Sequence, residues 1–163
     1  MRVFHGTPEI RSKEINREKI IKATTNKIAI HNNRGRDTDT TRGYVYLSSD
    51  KNAAGFFSKS SLLRLNSNET DLLQMVCIYE LEIDEDKLEC DQDQCKLMKE
   101  MNINNCPNLE NYDNCQAQYC IKYIKSIRVK GDISLEKNLI KKDVININTL
   151  SNYKYHFELK KTK

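Results

Sequence analysis

Between Met75 and Asp84 the chain alternates for ten residues, with Met75, Cys77, Tyr79, Leu81 and Ile83 on one side and Val76, Ile78, Glu80, Glu82 and Asp84 on the other. Side chains of an extended backbone point to opposite faces with a period of two. The run therefore predicts a strand that is apolar on one face and increasingly polar on the other. A strand has to be paired and its apolar face covered, which commits the chain to a sheet packed against something else.

The remaining segments supply partners of both kinds. Arg2 to His5 predicts a short strand, with Val3 and His5 on one face and Phe4 on the other. Glu9 to Ala23 predicts an amphipathic helix carried by Ile10, Ile15, Ile20 and Ile21. Asn32 to Arg42, which holds Gly35 and alternates Asp with Thr, predicts a mobile surface loop. Gly43 to Ser48 predicts a strand, and Ser49 or Asp50 a cap for a helix over Lys51 to Ser58 with Ala53, Phe56 and Phe57 on one face. Ser60 to Asp71 is polar and predicts a loop, Glu85 to Met101 a helix, and Asn102 to Asn114, with Pro107, a second loop. Gln116 to Tyr123 and Ser126 to Val129 predict strands before the turn Lys130-Gly131-Asp132, and Tyr153 to Leu159 a half-buried closing strand. The sum is an α+β domain with a strand-rich second half and no internal repeat, a single domain over residues 1–163.

Composition narrows the function classes. At 38% hydrophobic and 31% charged, the chain is polar but carries enough apolar residues for one core. No stretch of about 18 apolar residues exists, which predicts no membrane-spanning helix. The opening Met1 to Pro8 lacks the apolar run of a secretory leader, so a cytoplasmic protein is expected. Only 5 Gly, 2 Pro and no sustained heptad exclude collagen and coiled coil. A net charge of +4, from 27 basic and 23 acidic residues interspersed, is too weak to argue for nucleic-acid binding. His31 and His156 have no recognisable partners, and the basic tail Lys160 to Lys163 reads as solvated.

Six cysteines in a reducing compartment predict free thiols. Four of them fall in two pairs, Cys90 with Cys95 and Cys115 with Cys120, each with four intervening residues. Structural zinc sites use about two to four, so a four-cysteine site is imaginable. Against it, Cys120 reads as a strand residue and no His lies between the pairs. The expectation is free thiols and no metal.

Three patches suit a folded pocket: His5-Gly6-Thr7 at a strand end, Gly43 to Phe57, and Gln116-Ala117-Gln118-Tyr119-Cys120-Ile121. Together they resemble the ADP-ribosyltransferase superfamily, in its diphtheria-toxin-like and poly(ADP-ribose)-polymerase-like branch. His5-Gly6-Thr7 is similar to that branch's His-Gly-Ser/Thr opening. Tyr46 matches the tyrosine of its middle strand, and Phe57, eleven residues on, the second aromatic over nicotinamide. Gln118-Tyr119 falls where the family has Glu-Tyr. The resemblance touches most of residues 1–130. It implies a split β-sheet core with flanking helices, NAD as co-substrate, and a catalytic trio of His5, Tyr46 and Gln118.

The chemistry of these side chains agrees with the resemblance. Nicotinamide is a flat ring bearing an amide, which two aromatic faces such as Tyr46 and Phe57 can hold. Gly6 lets the backbone approach closely and pair with the carboxamide. His5 suits a ribose hydroxyl and Thr7 adds another polar group. Cleavage at the ribose passes through an oxocarbenium-like state that a carboxylate stabilises. A charge about 4 Å away at an effective dielectric near 20 contributes roughly 4 kcal/mol, so Gln118 in place of Glu implies a step about a thousandfold slower.

Three outcomes follow from Gln118: slow or single transfer, substitution by a loop carboxylate such as Glu110 or Asp113, or NAD binding without turnover. The resemblance places the acceptor beside residues 106–114, with Tyr112 as a contact. Single ADP-ribose transfer to a macromolecule, protein rather than nucleic acid, is the expected function, by a monomer such as a phage or bacterial effector. The alternative is a catalytically silent module that holds NAD or ADP-ribose, or blocks a partner, with the same cleft.

Overall fold

The structure is a computed structural model and describes residues 1–25, 40–66, 74–100 and 115–152. In chain order its elements are β1 (Arg2–Pro8), α1 (Glu9–Glu18), β2 (Ile20–Ile21), β3 (Tyr44–Ser48), α2 (Lys51–Asn66), β4 (Met75–Glu82), β5 (Leu88–Cys90) and α3 (Gln92–Glu100). They continue with α4 (Ala117–Tyr119), β6 (Ser126–Lys130), β7 (Ile133–Ser134), α5 (Leu135–Asn138) and β8 (Leu139–Asn146). The fold is mixed α+β. Among the described residues, six strands form one antiparallel sheet in the order β5-β6-β3-β1-β4-β8, and β2 pairs with β7. No helix among these residues is long and apolar enough to cross a membrane.

The alternating run is strand β4, placed inside the sheet between β1 and β8, with Glu80 and Glu82 as the more open end of its polar face. Val76, Cys77, Ile78 and Tyr79 are all buried. Val76 packs with Leu62 of α2 on one face, while Cys77 and Tyr79 belong to the main core on the other. The Tyr79 hydroxyl donates to Asn16 Oδ1 of α1 at 3.0 Å, so this inward polar group is satisfied.

Four expected elements differ. Helix α1 stops at Glu18, because Lys19 takes a left-handed backbone (φ 58°) and Ile20–Ile21 leave it as β2. Helix α2 continues into the polar stretch read as a loop, as far as Asn66. Ala54, Ser58 and Leu62, spaced by four, form its buried stripe, and Leu62 carries that stripe into the stretch expected to be a loop. The segment read as one helix from Glu85 divides into a 3₁₀ turn (Glu85–Lys87), β5 and α3. Leu88 and Cys90 alternate inward along β5, which pairs with β6 from Leu88↔Val129 to Cys90↔Ile127.

Gln116 to Tyr123 is helical, not extended: α4 passes directly into a π-turn over Cys120–Ile124. Ala117, Cys120 and Ile124 form its buried face. Strand β8, paired along β4 from Met75↔Asn146 to Leu81↔Leu139, had no counterpart in the sequence reading. The expected strand Tyr153–Leu159, the loop 102–114 and residues 26–39, which hold most of the expected loop from Asn32, lie outside the described residues.

Candidate functional site

The site forms where the centre of the sheet parts. Met1 and Ile83 exchange both backbone bonds, Met1 N–H to Ile83 O at 2.7 Å and Ile83 N–H to Met1 O at 3.0 Å. In an antiparallel ladder such pairs alternate with pairs whose groups point away. Val3, His5 and Thr7 therefore bond toward β4, and Phe4 and Gly6 turn toward β3. Phe4 meets Ser48 there, and among the described residues the β1–β3 ladder goes no further. Gly6, the next residue aimed at β3, lies where pairing has ended. The Tyr46 carbonyl instead accepts a hydrogen bond at 3.0 Å from Nδ1 of His5.

A cleft of about 590 Å³ occupies this parting. It is lined by His5, Gly6 and Thr7 of β1, Tyr46 and Ser48 of β3, Ala54 and Phe57 of α2, and Arg11 and Glu14 of α1. Asp91, Gln94 and Ser126 line it as well. All five residues expected to hold the nicotinamide end of NAD thus meet in one cavity.

Because a carbonyl only accepts, the bond to Tyr46 fixes the proton of neutral His5 on Nδ1 and leaves Nε2 as an acceptor. Burial lowers the His5 pKa below 6.5, outweighing the opposite effect of the Tyr46 carbonyl, so the ring is neutral at pH 7. Tyr46 is half-buried. Its hydroxyl donates to Asp93 Oδ2 and accepts from the Thr41 N–H at 2.7 Å. Burial first, then the neighbouring Asp93, pushes the phenol well above its usual range. Asp93 also lies 3.8 Å from a guanidinium nitrogen of the buried Arg128, which stacks 4.1 Å over the Tyr44 ring.

Gly6 has a second reason to be glycine. A Cβ there would lie 2.2 Å from the Ala54 carbonyl oxygen and 3.0 Å from Ser58 Cβ. The missing side chain lets α2 press onto β1 and brings Phe57 to the cleft wall. The same turn of α2 is started by Asp50, whose Oδ1 accepts the Asn52 and Ala53 N–H groups at 2.8 and 3.0 Å.

The structure does not bring Gln118 to this cleft. The residue lies on α4, exposed. Glu110, Tyr112 and Asp113 lie outside the described residues. The buried carboxylate at the cleft is Asp91, which the sequence reading passed over. Its Oδ1 accepts the Gln94 N–H at 3.0 Å, capping α3, and its Oδ2 accepts the Ser126 hydroxyl. Burial, partly offset by these two bonds, raises its pKa to about 6. An Asp directly before a helix is a capping signal, and here it was hidden because the helix was expected to begin six residues earlier, at Glu85.

Behind Asp91 the cysteine pairs converge. The Sγ atoms of Cys90, Cys95, Cys115 and Cys120 all lie within 4.8 Å of one another. No protein-family model matches the chain, and no curated protein or solved structure does either.

Proposed function

We propose that this protein is an NAD-dependent mono-ADP-ribosyltransferase with an ADP-ribosyltransferase-like split sheet. The observation that carries the reading is the convergence of His5, Gly6, Thr7, Tyr46 and Phe57, spread over 53 positions of sequence, on one cleft where the β1–β3 ladder has ended. A carboxamide matches a backbone edge that presents one donor and one acceptor, as Gly6 does. Tyr46 and Phe57 offer aromatic surface to the ring. The neutral His5 accepts from a ribose hydroxyl through Nε2, and Arg11 and Lys22 at the cleft supply cationic groups for the diphosphate.

In the reaction, the bond from nicotinamide nitrogen to the ribose carbon breaks and nicotinamide departs neutral with the electron pair. The acceptor attacks the resulting cationic carbon and gives up a proton. Asp91 takes the role that the resemblance assigned to position 118. As a carboxylate in a poorly hydrated wall, it offsets the positive charge that develops on the ribose.

Incubation with NAD and lysate tests this, reading nicotinamide release and ADP-ribose mass added to an acceptor. The wild type is expected to do both, and Asp91→Asn, which keeps a capping oxygen for α3, to bind NAD but turn over about a hundred- to a thousandfold more slowly. Absence of nicotinamide release from the wild type defeats the enzymatic reading. The second reading, a silent NAD- or ADP-ribose-holding module, is favoured by the exposed place of Gln118. It predicts NAD binding by calorimetry with no release. A protein acceptor is preferred to nucleic acid because the net charge is only +4. The setting proposed is a cytoplasm, with the chain acting as a monomeric effector of bacterial or phage type.

A further inference from the structure

We infer that Cys90, Cys95, Cys115 and Cys120 form a tetrathiolate site for one zinc ion, placed behind the cleft wall that carries Asp91 and Gln94. The four come from separate places: the end of β5, the middle of α3, the residue two before α4, and the start of the π-turn. Their sulfurs nevertheless gather to within 4.8 Å of one another. Three of the separations are 3.5 Å (Cys90–Cys95), 2.8 Å (Cys90–Cys120) and 3.6 Å (Cys95–Cys120). A tetrahedron with Zn–S bonds of about 2.3 Å has edges of about 3.8 Å, so modest adjustment suffices to seat the ion.

Mutual proximity of all four is the informative feature. Two disulfides would need only two close pairs, and nothing in that chemistry brings the pairs together. A metal needs every sulfur equidistant from one point. Cys90, Cys95 and Cys120 are buried and Cys115 half-buried, so the set is a closed one with no position left for substrate, as in structural rather than catalytic zinc. Cys77, also buried, lies apart from the cluster, with its thiol 3.1 Å from Ser12 Oγ. Among the described cysteines, burial alone therefore does not bring a thiol into the cluster.

The topology gives the ion a task. Cys90 and Cys95 bracket the Asp91 cap, while Cys95 and Cys115 stand on either side of residues 96–114. Zinc would lock the β5–α3 corner to the α4 and π-turn layer and fix both ends of the intervening segment. Binding exchanges thiol protons for metal, releasing up to four protons per ion, so loading weakens on acidification.

The test uses the full chain purified under reducing conditions without chelator. Elemental analysis is expected to find one zinc per chain, and replacement by cobalt to give the intense visible absorption of tetrahedral thiolate coordination. Cys115→Ser, at the half-buried position least needed for packing, should lower zinc affinity at least tenfold and weaken the cobalt bands. Cys77→Ala should leave both unchanged. Zinc below about a tenth of an equivalent, together with no cobalt absorption on titration of the reduced wild type, overturns the proposal. So does mass spectrometry showing disulfides among these four cysteines in protein that already resists metal after reduction. None of these readouts depends on NAD.

Discussion

His5 works through the proton it holds on Nδ1. That proton goes to the Tyr46 carbonyl, which both replaces a missing ladder bond and presents Nε2 as an acceptor. Because burial lowers the pKa, the folded state binds fewer protons than the unfolded one as pH drops below 6.5. Acidification through that window therefore destabilises the fold, and above it His5 contributes no pH dependence. In an NMR titration the His5 imidazole is expected to protonate below pH 6.5, with a midpoint at or above 6.5 contradicting the assignment. Tyr79 lies beside the ring, and Arg11, Glu14, Glu18, Lys22, Tyr46 and Asp91 line the same cleft. The two phenols titrate far above this range, and reading the ring's own resonances separates His5 from Asp91, which titrates at about 6. At Tyr46 two roles separate. Tyr46→Phe keeps the ring and costs about 1 kcal/mol of stability by leaving Asp93 short of a donor, whereas Tyr46→Ala also weakens NAD binding by about tenfold. Denaturant unfolding and calorimetry read the two separately.

At the scale of elements, helix α2 decides whether the cleft exists. Its contact with β1 tolerates no side chain at Gly6, so Gly6→Ala is expected to cost about 1–3 kcal/mol and to displace Phe57, lowering NAD affinity as well. Its second half is tested independently: Leu62→Ala, at a fully buried site against Val76, should cost about 2–5 kcal/mol, and the exposed Leu63→Ala about 0.5 or less. Equal small effects would mean that the helix does not extend past Ser58.

These elements also show what the sequence disclosed. The strands around His5 and Tyr46 were legible because a period of two, short length and a following cap act locally. The extension of α2 was not, since Ser60 and Ser61 favour loops locally and only the burial of Leu62 against Val76 of β4 carries the helix past them. Gln116 to Tyr123 misled for a similar reason. Tyr119, Ile121 and Tyr123 have strand propensity, while the helical spacing of Ala117, Cys120 and Ile124 records burial against the core.

Across the whole molecule, the account rests on a sheet that pairs fully along β4 and only at one position between β1 and β3. That asymmetry places Gly6, His5 and Tyr46 around a cavity instead of closing them into a ladder. Asp91 stands at its wall with the cysteine cluster behind. The cleft residues near the front of the chain were readable as motifs. The carboxylate was not, because its place depends on β5 joining β6, a pairing that spans about forty residues and leaves only a three-residue trace at Leu88–Cys90.

The most direct measurement is saturation-transfer NMR on the wild-type chain mixed with NAD. Saturation is predicted to pass most strongly to the nicotinamide ring protons, and that preference to be reduced in Tyr46→Ala. Transfer centred on the adenine, or none at all, would contradict the cleft as the holder of the nicotinamide end.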